Sequence, residues 1–176
     1  MGSKLRALEL PHDSCHLAFF TALESNCRQL KTLVIKGEPM SQGPICICHS
    51  KLEIHFVHET SHSLDLNCPN LTCLGITGQE RGRHPTCYSL HCPKLTKLKL
   101  SSTHCTPELL KSIALCAPHI TLVQVECDKE FPYDALTDFG SLKHLSLQLA
   151  GNDIPPLAFQ WPHLETLSID ENAIAS

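Results

Sequence analysis

Cysteine and histidine are the residues of this chain best equipped for chemistry, and it carries 11 of the first and 12 of the second. Thiolate and imidazole are the ligands zinc prefers, and a thiolate beside an imidazole is a nucleophile with its base. Two clusters have the right residue types for a metal site: Cys46-Ile47-Cys48-His49, and Cys87 with His91 and Cys92. A closed zinc site takes four ligands, commonly as paired C-x₂₋₄-C and H-x₃₋₅-H. Neither cluster has a second pair at that spacing, so packing is the favoured reading of these cysteines, and no metal or other cofactor is expected. The histidines are dispersed. His55, His58 and His62 form the one local grouping whose titration near neutrality could act together. The sequence has no G-x-S-x-G, no H-E-x-x-H and no phosphate-loop pattern. The expectation is a protein that is not an enzyme.

Bulk properties narrow the class further. The chain is 42% hydrophobic and 18% charged, enough apolar residue to build a core. A net charge of -4 supplies no basic field for nucleic acid. Aromatics are 5%, with the single tryptophan Trp161, so there is no stacking platform for bases. The opening MGSKLRALEL has no signal-peptide core, and no apolar run reaches the length of a membrane span. Met1-Gly2 begins a myristoylation pattern that fails at Arg6. These features predict an intracellular protein, cytoplasmic or nuclear, with reduced thiols and with neither nucleic acid nor membrane as partner. The odd cysteine count agrees.

What positions these residues is a repeat. The stretch Cys92–Leu100, CPKLTKLKL, contains Leu95, Leu98 and Leu100 in the spacing L-x-x-L-x-L. Equivalent blocks begin at Leu5, Leu30, Leu71, Ile120, Leu142 and Leu164, and a degenerate one is read from Leu52 through Ile54, Phe56 and Val57. Successive starts then differ by 25, 22, 19, 24, 25, 22 and 22 residues. This is a leucine-rich-repeat period of roughly 20–29 residues. A unit of this kind cannot bury its apolar face alone, and stacking the units yields a continuous parallel sheet and core. The fold expected is therefore α/β: a leucine-rich-repeat solenoid of about eight repeats, with a curved parallel sheet and helical or irregular returns. Asp13–Asn26 and Thr106–Ala117 read as helices, the latter with Thr106 as N-cap, Pro107 at the first helical position and Glu108 in the first turn. Gly82–Ser89, Tyr133–Phe139 and Pro155–Phe159 read as single turns or 3₁₀ pieces. Both ends lie on strand blocks without the polar caps such stacks need. One domain over residues 1–176 is expected, either a fragment of a longer protein or one whose edges are covered.

Cysteine also recurs. Cys27, Cys68 and Cys92 stand three residues before the first leucine of a block, and Cys116 stands four before Ile120; Gly140 and Pro162 fall near the same place later. Proline follows in Cys68-Pro69, Cys92-Pro93 and Cys116-Ala117-Pro118. A small buried hydrophobe suits this corner between return and strand. The pattern C-P-x-L-x-x-L-x-L in YSLHCPKLTKLKL, and with one inserted residue in KSIALCAPHITLVQV, resembles the cysteine-containing leucine-rich repeats of F-box/leucine-rich-repeat proteins. In that family the repeats bind a substrate protein and a separate F-box joins it to a ubiquitin ligase. No F-box precedes Leu5, and Asp13, Glu38, Gln79 and Thr103 stand where the family often has its second cysteine. Similar Cys-Pro repeats occur in intracellular plant-type immune receptors.

The resemblance implies a protein-interaction module, the substrate-recognition repeats of an F-box-like ubiquitin ligase adaptor. The alternative is the recognition segment of an intracellular immune or signalling receptor. A metal or redox sensor is the third reading. In a leucine-rich solenoid the x positions face outward along the concave sheet. The candidate partner-binding residues are Lys31, Val34, Ile54, Phe56 and Thr72 early in the chain, and Lys97, Lys99, Gln124, Lys143 and His144 later. The partner expected there is another protein, with ligase subunits joining only if an F-box exists elsewhere.

Overall fold

A computed structural model describes residues 5–11, 22–23, 25–27, 30, 32–36, 45–46, 51–56, 64–78, 88–101, 105–127, 131–149 and 161–171. Among these lie eleven strands: β1 (Ala7–Pro11), β2 (Thr32–Lys36), β3 (Ile45–Cys46), β4 (Lys51–Phe56), β5 (Leu64–Asn67), β6 (Cys73–Gly78), β7 (Tyr88–His91), β8 (Lys97–Ser101), β9 (Leu122–Cys127), β10 (His144–Leu149) and β11 (Thr166–Glu171). Eight form one parallel sheet in the order β1-β2-β4-β6-β8-β9-β10-β11. The other three form a second parallel sheet, β3-β5-β7. The chain is thus α/β, with few helices. No helix among the described residues is long and apolar enough to cross a membrane.

The long sheet follows from the leucine blocks. Each strand begins one residue before the second apolar position, so alternate residues face the core. Leu74, Leu98, Val123 and Leu145 stand opposite one another across neighbouring strands, and so do Ile76, Leu100, Val125 and Leu147. All eight are buried. The first apolar position is buried too at Leu30, Leu71, Leu95, Ile120 and Leu142, whereas Leu5 at one sheet edge is exposed and Leu164 at the other is half-buried. Each such leucine contributes about 1.5–3 kcal/mol by leaving water.

The register moves one block. Leu52 pairs with Leu33 and Leu74, the second apolar position, not with the first. The third block therefore starts at His49, and the spacings around it become 19 and 22 residues in place of 22 and 19 with 25 before them. The apolar pair Leu52 and Ile54 caught the pattern because His49 occupies the position a leucine fills elsewhere.

Six blocks open with the same turn. The backbone N–H of the first apolar residue donates to the carbonyl three residues back: Leu30 to Cys27, Leu71 to Cys68, Leu95 to Cys92, Ile120 to Ala117, Leu142 to Phe139 and Leu164 to Trp161, at 2.9–3.3 Å. Proline follows the corner residue at Pro69, Pro93, Pro118 and Pro162, where its fixed φ suits the second position of a turn. In the sixth block the corner residue is Ala117, 1% exposed, and Cys116 remains at the helix end, half-buried. Phe139 and Trp161 hold the corners where Gly140 and Pro162 were expected.

Returns vary. The helix α1 (Pro107–Cys116) matches the expected span. Thr106 Oγ1 accepts from Leu109 N–H at 3.2 Å, and Leu109, Leu110 and Ile113 are buried against β7 and the following 3₁₀ helix, Tyr133–Asp138. That 3₁₀ helix is as expected. Of the helix expected over Asp13–Asn26, residues 22–23 and 25–26 are helical, and Cys27 N–H donates to Leu23 O at 2.8 Å. The second sheet was not expected. LDLN at 64–67 and YSLH at 88–91 alternate apolar and polar as strands do, but at four residues each they are short for a pattern to register. Pro155–Phe159 lies outside the described residues.

Candidate protein-binding face

Between the core positions, the outward residues of the long sheet line up in rows. One row runs Cys73, Lys97, Leu122, His144, Thr166. The next runs from Gly75, which is buried, through Lys99, Gln124, Ser146 and Ser168, and a third runs from Ser101, also buried, through Glu126, Gln148 and Asp170. The strand β8 shows the alternation directly, with Lys97 and Lys99 exposed and Leu98 and Leu100 buried.

Just before the strands lies a polar column, Thr72, Thr96, Thr121, Lys143 and Glu165. Thr72 O accepts from Thr96 N–H at 3.1 Å and Lys97 N–H at 3.0 Å; Thr96 O accepts likewise from Thr121 and Leu122, Thr121 O from Lys143 and His144, and Lys143 O from Glu165 and Thr166. The Thr96 hydroxyl adds a bond to Thr72 O at 3.2 Å. A threonine here places its hydroxyl against the preceding carbonyl, so the column is held from backbone and side chain together.

The charges on this surface differ in their partners. Lys99 Nζ lies 3.7 Å from Glu126 Oε1, and Lys143 Nζ 2.6 Å from Glu165 Oε1. Lys143 holds the Glu165 carboxyl below its ordinary pKa, first by that hydrogen bond and then by its charge. A carboxylate lowered in this way keeps its link as pH falls to the ordinary glutamate value and loses it only through the depressed one. Pairs this exposed add little to stability. His144 Nδ1 hydrogen-bonds to the Thr166 hydroxyl. Lys97 is exposed, and among the described residues no carboxylate pairs with it. Its cross-strand neighbours are Cys73 and the half-buried Leu122.

Of the residues singled out from the sequence, Thr72, Lys97, Lys99, Gln124, Lys143 and His144 come together on this surface. Val34 falls in the row of Glu9 and Glu53. The moved register puts Ile54 opposite Ile35 and Ile76, in the row that continues through buried Leu100, and Phe56 opposite Gly78. Ile54 therefore shares a row with the buried Ile76 and Leu100, and Phe56 shares one with Gly78. Lys31 lies outside the described residues. Glu126 and Gln148 were not among the candidates, although the residue after a block's last apolar position continues the alternation and is a readable signal. At the turn end of β9–β11 an open cleft of about 620 Å³ is lined by His119, Thr121, Ser141, Lys143, Pro162, His163, Leu164 and Glu165. It was missed because turn residues were assigned only a structural part.

Cys46 is in β3, and Cys48, His49 and Cys87 lie outside the described residues, as do His58 and His62. His91 is exposed while Cys92 is 2% exposed, so the two neighbours face different surroundings. Among the described residues no three of His, Cys, Asp and Glu converge to hold a metal ion.

No protein-family model, no curated protein and no solved structure matches this chain.

Proposed function

We propose that the chain is a leucine-rich-repeat solenoid that works by binding and not by catalysis, with the outward rows of its long sheet as a concave docking face for another protein. The observation that carries this reading is Lys97. It is a solvated cation with no carboxylate partner among the described residues, set between Cys73 and Leu122 on an otherwise polar face. A charge beside a part-buried apolar side chain suits a protein surface, where an ion pair orients the partner and apolar contact holds it. Within this reading the repeats are the substrate-recognition part of an F-box-like ubiquitin ligase adaptor, as the Cys-Pro-leucine pattern suggests. That role requires an F-box outside these repeats.

The test is affinity capture from cell extract with the tagged protein and its Lys97→Glu/Lys99→Glu variant, followed by mass spectrometry. Both lysines are exposed, so the variant is expected to keep the parent's circular dichroism and to lose the captured partner at least tenfold. Undiminished capture by the folded variant assigns docking to another surface. Ligase subunits among the captured proteins support the adaptor role.

A further inference from the structure

Two thiols lie one above the other in the core. In the second sheet Asn67 stands opposite His91 in parallel register, and the next residue of each strand is a cysteine, Cys68 and Cys92. Cys68 N–H donates to His91 O at 3.0 Å, which carries the pairing past the strand ends. Each cysteine then opens the same turn, its carbonyl accepting from Leu71 and Leu95 respectively. Their exposures are 0% and 2%, and both are thiols. Neighbouring strands lie about 4.8 Å apart, inside the roughly 4.4–6.8 Å Cα separation a disulfide requires. Of the other described corners, Cys27 stands further back in the chain and Ala117, Phe139 and Trp161 carry no thiol.

We infer that Cys68 and Cys92 are a modification site: a stacked dithiol that hydroperoxides convert to an intramolecular disulfide joining two consecutive turns of the chain. Cys92 is the attacking residue. The Cys68 side chain hydrogen-bonds to it and holds its pKa below the ordinary thiol value, outweighing the burial that raises it, with backbone groups of Cys68 and His91 assisting. The Cys92 thiolate attacks one peroxide oxygen, the O–O bond breaks, and hydroxide leaves, so that Cys92 becomes a sulfenic acid. The Cys68 sulfur then attacks the Cys92 sulfur. The S–O bond breaks, and the departing hydroxide takes the Cys68 proton as water. Two thiols and one hydrogen peroxide give one disulfide and two waters. A peroxide molecule is small enough to reach a buried pair during local opening of the corner, where a bulky disulfide oxidant is not.

The test treats the fully reduced protein with hydrogen peroxide, blocks remaining thiols and maps the unreduced peptides. The expected product is the Cys68–Cys92 cross-linked peptide, formed before any other disulfide. In Cys68→Ala the link is absent, and Cys92, without the hydrogen bond from Cys68, is oxidised more slowly than in the parent, to a sulfenic acid that dimedone traps. Alanine occupies the equivalent corner at Ala117, so this variant fits the site, and its circular dichroism reports that it has folded. A first disulfide between any other pair in the parent protein, or a peroxide-treated parent in which Cys68 and Cys92 both stay alkylatable, overturns the assignment.

Discussion

The corners at Cys68 and Cys92 and the corner at Phe139 make the same backbone turn with side chains of very different size. In each, the first apolar residue of the block bonds back three residues, at 3.0–3.1 Å. What differs is the segment leading in. β5 and β7 run into the cysteine corners as strands of a second sheet, stacked at the close spacing of a sheet. A 3₁₀ helix runs into Phe139, and Leu136 is its one buried residue. Where the return is a strand of the second sheet, the corner is a small buried thiol. Where it is a single tight helix, the corner supplies a ring, and Phe131 and Tyr133 add an edge-on pair with centroids 4.9 Å apart. Trp161 extends the same solution, its indole N–H donating to Leu136 O at 3.0 Å. The constant parts of the repeat are thus a hydrogen bond and the inward rows, and core volume is shared between return and corner.

Exchanging the two kinds of corner tests this account. Phe139→Ala removes a ring that is 3% exposed and leaves a cavity the thin 3₁₀ return cannot fill. We expect a loss of about 3–5 kcal/mol in urea unfolding. The reverse change, Cys92→Phe, forces a ring between stacked strands at a corner 2% exposed. Overpacking there costs about 1–3 kcal/mol. If Cys92→Phe proved neutral, the strand corners would have spare volume, and return type would not govern corner size.

The long sheet was legible in the sequence because burial on one face enforces a period of two, and the leucines at 71–76, 95–100 and 142–147 show it without interruption. The third block was misaligned for a local reason. His49 stands at its first apolar position, and an alignment begun at Leu52, three residues late, puts His55 and Val57 at the later apolar positions. Pairing with Leu33 and Leu74, a long-range property, sets the phase. Ile54 and Phe56 entered the candidate face by that error alone. The second sheet escaped because Leu66 and Leu90 sit in strands of four residues. The cysteine corners were read correctly at Cys27, Cys68 and Cys92. At Cys116 the eye follows the cysteine, whereas the turn counts back three residues from Ile120 and selects Ala117. On the face, alternation alone identified Lys97, Lys99 and Gln124. Which lysine is paired depended on Glu126 and Glu165, each one block further on than its lysine, which no local pattern reveals.

Gly140 provides the finest discrimination between the corners. It follows Phe139 where the turns at Cys68, Cys92, Ala117 and Trp161 have proline, so this turn, like the one at Cys27 where Arg28 follows, lacks a residue that restricts φ. Glycine is usually kept for a left-handed backbone or for lack of room. A methyl group built on Gly140 meets no atom within 4 Å, and the position is exposed. The turn here therefore does not require glycine, and its freedom is lost on folding without compensation. Gly140→Ala is expected to raise stability by about 0.4–1 kcal/mol through the unfolded chain, with the slope of the urea transition unchanged. A destabilisation would mean that the aromatic corner bends the turn in a way the proline corners do not, and that the backbone geometry is not common to both.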